Sequence, residues 1–390
     1  MIGWAAILFL AAAAAQDAKK PEGVAAVDQN KVDEAVRKGV EWLKGQQGPK
    51  HEGGAPNHSN ELLLYTFLHA GVPENDAKCK AILDAMLAEP LEKTYKVALQ
   101  AMILEELERV KHQVRIWQCG QFLIDNQCTN GQWSYGTPTQ FGNVPPPAPK
   151  PVASGGGVKV FAPVGGPRIK PEVTRKLIVV KARDGGQSGD FSNSQYAALG
   201  LRACFESGIG FPKDALTLAK QSWLEGMHPV DPKDGGYGGR GWCYGIKGEH
   251  DGHDAYGSMT AGAVGSLCIY AHMLGGDPKR DAVAKQGVEW LGAHFSVEGN
   301  VGPPSEGWMN KDPKVMHYYF LYGLERAGIL YDTVKMGKHD WYAVGATYLL
   351  AQQKGEGFWE GGSDKVWDTC FAILFLKRAT RPLVASQDKK

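Results

Sequence analysis

Residues 126–133 read NQCTNGQW and residues 353–359 read QKGEGFW, so that Gln127, Gly131 and Trp133 recur at the same spacing as Gln353, Gly357 and Trp359. Each stretch directly follows an amphipathic run. Three further loops, 46–54, 234–245 and 295–308, keep the glycines and some aromatics but lose the spacing. Self-similarity of this kind marks units that cannot bury an apolar face alone and must stack on their neighbours.

Around these loops, apolar residues at helical spacing form two alternating sets of segments. The first set covers 31–47, 77–88, 112–127, 213–226, 280–294 and 340–354. Stretches such as VDEAVRKGVEWLKGQQ and DAVAKQGVEWLGAHF carry charge on one face, as outer helices half in water would. The second set covers 59–70, 94–107, 192–206, 258–273, 315–327 and 367–379. SNSQYAALGLRACF, SMTAGAVGSLCIYAHML and WDTCFAILFLKRA are apolar nearly all round, as enclosed helices would be. Six pairs in strict alternation predict an all-α fold, an (α/α)6 toroid with its inner helices parallel.

The toroid is expected over 31–380, after a linker at 16–30 and before a C-terminal tail at 381–390. Residues 137–182 interrupt the third pair: TPTQFGNVPPPAPKPVASGGGVKVFAPVGGPRIK is too rich in Pro and Gly to build a packed core, and TRKLIVVKA predicts a short strand. The segment reads as a surface loop or as a lid over one mouth of the ring. Ile2 to Ala15 is an apolar run ending in three alanines, followed by a polar stretch. It reads as a signal peptide at 1–15, which predicts an exported protein, in the periplasm, cell envelope or outside, with no membrane span in the mature chain.

A net charge of +1, from 43 basic and 42 acidic residues, gives no field that would gather nucleic acid. The seven cysteines are odd in number and irregular in spacing, unlike a disulfide scaffold, and Cys204, Cys268 and Cys370 in apolar helices read as small buried hydrophobes. No Gly-x-Ser-x-Gly elbow, phosphate loop or dinucleotide fingerprint occurs.

The alternation, the two Gln-x-x-x-Gly-x-Trp loops and the closing FWEGGSDKVWDTCFAILFL resemble the superfamily of terpenoid cyclases and protein prenyltransferase β subunits, above all the C-terminal repeats of squalene–hopene cyclases. The resemblance implies that Gln127, Trp133, Gln353 and Trp359 are structural, tying neighbouring helices together. It also implies an isoprenoid-type ligand in the central cavity. The Asp-x-Asp-Asp acid motif of the class II cyclases is missing, and the chain has no room for their second toroidal domain, so standard squalene cyclisation is not expected. Prenyltransferase β subunits hold zinc with Asp-x-Cys and a later His. Asp368 and Cys370 reproduce the pair, and ring closure would bring His58 or His317 alongside as the third zinc ligand. Against this stands the plain reading of Asp368 as a helix cap and Cys370 as core.

The inner-helix N-termini should converge on one mouth, where unpaired N–H groups would favour an anionic ligand. The richest loop, 231–260, holds Arg240, Trp242, Tyr244, His253 and Tyr256. Trp242 or Tyr244 could stack on a sugar, Arg240 could neutralise a carboxylate, and His253 or Tyr256 could act as a base, the chemistry of a lyase on acidic glycans. His250, Asp251, His253 and Asp254 with Cys243 are a weaker metal-binding alternative. Further candidate cavity residues are Asp190, Asn193, Gln195, His317, Tyr318, Tyr319, Tyr322 and Trp367, with Asp368 as a catalytic acid. Glu325 and Arg326, deeper in the fifth inner helix, read as a structural pair. Three functions follow: a cyclase-like toroid binding an isoprenoid, a secreted lyase-like enzyme on acidic glycans, and a non-catalytic envelope module with a protein partner.

Overall fold

The computed structural model describes residues 27–46, 60–147, 171–229, 240–245, 255–302 and 312–383. The predicted signal peptide, most of the linker, residues 148–170 of the insertion, His58, His250, Asp251, His253 and Asp254 lie outside these residues. Within them, helices alternate as the sequence predicts. The outer set is α1 (Gln29–Gly45), α3 (Ala77–Ala88), α5 (Gln113–Asp125), α7 (Lys213–Glu225), α9 (Ala282–Ala293) and α11 (Trp341–Gln352). The inner set is α2 (Asn60–Ala70), α4 (Thr94–Glu108), α6 (Phe191–Glu206), α8 (Gly257–Met273), α10 (His317–Leu330) and α12 (Lys365–Leu376).

Four of the six outer helices begin on Asp caps; α5 and α7 begin after His112 and Pro212 with no side-chain cap. Asp28, Asp76, Asp281 and Asp340 each accept from first-turn backbone N–H groups of α1, α3, α9 and α11. Inner helices are walled in on every side, and in α8 only His272 escapes burial. Each inner helix packs against the one before and after it, and α12 packs back on α2, so the ring is closed. No helix of the described residues is long and apolar enough to cross a membrane.

The repeated loops make the joints. Gln127 Nε2 donates to its own loop at Gly131 O (3.3 Å) and to Ala215 O of the next outer helix (2.9 Å). Gln353 Nε2 does the same to Gly357 O and to Ala35 O of α1, both at 2.8 Å, which joins the last unit to the first. Trp133 Nε1 reaches back to Leu123 O (2.7 Å) and Trp359 Nε1 to Leu349 O (2.8 Å), both across ten residues. Their backbone N–H groups donate to Ser194 Oγ and Thr369 Oγ1 in the first turns of α6 and α12, both at 3.0 Å. Gly131 and Gly357 hold φ of +87° and +100°, and a Cβ on either would strike a backbone oxygen of the next outer helix, Leu218 O or Lys38 O.

Trp242 forms a third joint. Its Nε1 donates to Trp223 O (2.7 Å), its N–H to Thr260 Oγ1 of α8 (3.0 Å), and its ring rests over Gly287 of α9. It is fully buried, so the expected role in stacking on a ligand is corrected to a structural one.

The insertion follows α5 at both described ends. Thr137 N donates to Asn126 Oδ1, while Val180 N and Ala182 N donate to Gln121 Oε1 and Asp125 Oδ1. The predicted strand is two residues long, β1 (Leu177–Ile178), parallel to β2 (Ile209–Gly210); β3 (Lys335–Met336) and β4 (His339–Asp340) form a small hairpin. The expected tail also enters the fold. Thr380 bonds to Glu325 of α10, Arg381 Nη2 pairs with Glu106 of α4 at 2.7 Å, and Pro382 O accepts from Arg202 of α6 at 3.0 Å. Residues 380–382 thus span the C-terminal ends of three inner helices.

Gly357→Ala puts a methyl group 2.6 Å from Lys38 O at a left-handed φ. It is expected to cost about 2 kcal/mol or more by urea unfolding, whereas Gly355→Ala, with open space around it, should cost far less.

Candidate functional site

The mouth is organised by loops that cap their neighbours. Tyr135 O accepts from Thr94 N at the start of α4 (2.8 Å), Tyr244 O from Phe191 N at the start of α6 (2.9 Å), and Val301 O from Gly257 N at the start of α8 (2.6 Å). Side chains take further first-turn donors. Asp190 Oδ1 accepts from Asn193 N (2.7 Å), Asn300 Oδ1 from Ser258 N (2.9 Å), and Asp364 Oδ1 from Val366 N (2.8 Å). The expected crown of unpaired N–H groups is therefore largely closed, and the anion argument drawn from it does not apply to these helices.

Asp190 anchors a polar and aromatic patch. Its Oδ2 accepts from Asn193 Nδ2 at 2.7 Å, and its charge, after burial, pushes up the phenol pKa values of Tyr244 and Tyr135. Tyr244 is half-buried and Tyr135 exposed, so both rings remain accessible from outside.

Just below, hydroxyl groups cross the bore. Tyr95 of α4 donates to Ser192 of α6, whose Oγ lies 2.9 Å from Tyr319 OH on α10, joining helices from opposite sides of the ring. Burial raises the Tyr319 phenol to about 12. The Tyr196 and Tyr319 rings stack at 6.2 Å.

Deeper still, Tyr65, Tyr196 and Tyr322 occupy the sixth position of α2, α6 and α10, alternate members of the inner ring. The helices between them carry Leu99, Gly262 and Cys370 at that position, and the space beside Gly262 is taken by the Gln195 amide. Arg326 lies among these rings, its guanidinium carbon 4.2 Å from the Tyr322 centroid and 5.6 Å from that of Tyr196, with Nη2 donating to Gln195 Oε1 at 2.7 Å. Glu325 turns instead to the tail, accepting from Thr380 N (3.0 Å) and Thr380 Oγ1 (2.6 Å), and burial raises its carboxyl to about 7.

Of the expected site residues, the structure brings Asp190, Asn193, Gln195, Tyr244, Tyr319 and Tyr322 to the mouth and bore. It adds Tyr65, Tyr95, Tyr135, Ser192, Tyr196 and Arg326. Arg240 is half-buried in the loop before Trp242. Tyr256 is buried at the start of α8, where its N–H donates to Trp242 O (3.0 Å) and its side chain packs on Gly302, so it is not an exposed base. Tyr318 is buried against Gly361, and Trp367 is buried at the start of α12.

Of the expected zinc ligands, Cys370, His317 and Asp368 each turn to a separate partner, while His58 lies outside the described residues. Cys370 turns to Thr66 of α2 and is pushed up to about 12 by burial. His317 Nε2 lies 2.8 Å from Val297 O, and burial lowers its pKa to about 4, leaving it neutral. Asp368 Oδ2 accepts from Gly361 N at 2.7 Å and is closed to solvent, its carboxyl raised to about 7 by burial. Among the described residues no three His, Cys, Asp or Glu side chains converge on one point, so Asp368, Cys370 and His317 do not form the expected centre. Asp368 ties the 361–363 loop to its helix, and its burial corrects the expectation of an acid open to substrate.

No protein-family model matches the sequence, and neither does the sequence of any curated protein. In fold the chain is similar to a possible member of the GH105 family from Salmonella enterica, with a TM-score of 0.52 and 11% identity over 92% of this chain and 96% of that one. It is likewise similar to the alpha-1,6-mannanase GH76A of Salegentibacter sp. HEL1_6, seen as an inactive variant in complex with alpha-1,6-mannotriose, with a TM-score of 0.51 and 9% identity over 89% of this chain and 98% of that one. The type II terpene cyclase MstE from Scytonema aligns at a TM-score of only 0.30 and 11% identity over 90% and 99% of the two chains, which is too low to carry an argument. At these identities the likenesses establish the α/α-toroid fold and nothing narrower.

The two raised carboxyls give the fold a pH signature. Each has a folded pKa near 7, above its ordinary value of 3.8 for Asp or 4.5 for Glu, so between those limits the native state holds more protons than the unfolded chain. Their stabilising contribution is complete at low pH and is lost as pH rises through about 7. The unfolding free energy from urea titrations should fall from about pH 5 to about pH 8, by on the order of a few kcal/mol for the pair. Asp368→Asn, which can still accept from Gly361, should flatten part of that slope; an unchanged slope would refute the assignment.

Proposed function

We propose that the protein is an exported α/α toroid that binds a hydroxyl-rich ligand of the saccharide type at the mouth formed by the inner-helix N-termini. The observation that carries this reading is the hydroxyl chain Tyr95–Ser192–Tyr319 across the bore, with Arg326 beneath it. An isoprenoid chain needs a deep, dry, apolar channel, and here it would meet phenols, an amide and a guanidinium instead. A sugar suits the surface above the chain. Tyr135 and Tyr244 offer aromatic faces on which a sugar ring can stack, above the buried Asp190 carboxylate.

Asp368 and Tyr256 are both enclosed and His253 lies outside the described residues, so the proposal is one of binding. Export rests on the apolar run Ile2 to Ala15, and N-terminal sequencing of protein from intact cells tests it.

Calorimetric titration with a neutral oligosaccharide, alpha-1,6-mannotriose first, and with geranylgeraniol in detergent separates the two ligand classes. Saccharide binding should be saturable, and Tyr244→Ala or Tyr135→Ala should weaken it by about 3- to 10-fold, the loss of one stacked ring. Binding of the isoprenoid alone would overturn the reading.

A further inference from the structure

Arg326 is 3% exposed, and among the described residues no carboxylate forms an ion pair with it. Glu325, its neighbour in sequence, points about 100° away round the helix, and its two oxygens are occupied by Thr380. Glu325 acts on the guanidinium only through space, with no hydrogen bond to it, and burial opposes the charge that the faces of Tyr322 and Tyr196 help to hold.

Two donors are left over at this place. Arg326 Nη1 and Gln195 Nε2 are both buried and both without a hydrogen-bond partner, although the residues are bonded to each other through Gln195 Oε1. Gln195 is held fast. Its amide atoms lie 2.7 to 2.9 Å from where a Cβ on Gly262 would stand, so the amide occupies the space that this glycine leaves on α8. The remaining chemistry of the pair is donor-only and positively charged, the complement of an oxyanion.

We infer that Arg326 and Gln195 form an internal binding site for a small oxyanion of the carboxylate or phosphate kind, received by Arg326 Nη1 and Gln195 Nε2 between the rings of Tyr196 and Tyr322. The site lies below the Tyr95–Ser192–Tyr319 chain and is separate from the aromatic surface at the mouth. It does not depend on a saccharide binding there. The anion supplies the acceptors that the two donors lack, and its planar or tetrahedral oxygens can accept from both at once.

The test uses the full chain, titrated with sodium acetate, sodium glucuronate and inorganic phosphate against sodium chloride at matched ionic strength, read by unfolding midpoint and by calorimetry. At least one oxyanion should raise the midpoint saturably beyond chloride. Gln195→Glu places a carboxylate against Arg326 and should lower affinity for that oxyanion by roughly tenfold or more, the worth of a charge-assisted bond. Should that variant not fold, Arg326→Met, which keeps the stem and removes the charge, must abolish the effect. The inference is overturned if no oxyanion stabilises the protein beyond chloride, or if the effect survives the variants unchanged. Neutral mannotriose is titrated separately, so failure of this site and failure of the saccharide reading are seen apart.

Discussion

A helical pair has one apolar face too many, and the structure rests on how that face is covered at the seam between first and last units. Gln353 and Trp359 do for α1 what Gln127 and Trp133 do for α7. The amide binds a carbonyl on the outer helix of the next unit, the indole reaches back to its own, and the loop glycine lets the backbones touch. Since α12 meets α2 in the same way that other inner helices meet, no unit is left as an end, and capping repeats are unnecessary.

Closure by side chains leaves the bore to be filled, and polar aromatics fill it. Large phenols from alternate helices stand level with smaller residues on the helices between them, as large and small residues do in any packed layer. Hydroxyl and guanidinium groups within that layer bond across the bore and tie the inner helices to one another.

The sequence revealed the ring clearly and the site only in part. Helical period and the Gln-x-x-x-Gly-x-Trp spacing located every inner and outer segment, because burial on one face or on all faces leaves a local imprint. Trp242 escaped the pattern since its bridge partner is Met227, not a glutamine, and the loop between them is long. Tyr196 and Arg326 meet only after the ring closes, across the bore and far apart in sequence, so no local spacing announces them. Asp368 and Cys370 looked paired as neighbours in a motif, yet two residues along a helix point to different sides, one toward Gly361 and the other toward Thr66.

The strap formed by residues 380–382 has a consequence for biosynthesis. During translation α1 emerges before the other helices of the ring, but the loop that covers it is not made until residues 353–359, and Glu106, Glu325 and Arg202 wait still longer for their partners. The nascent chain therefore exposes an unfinished crescent until residues 353–382 have been made, and for that interval its apolar faces depend on being shielded by something other than the ring itself.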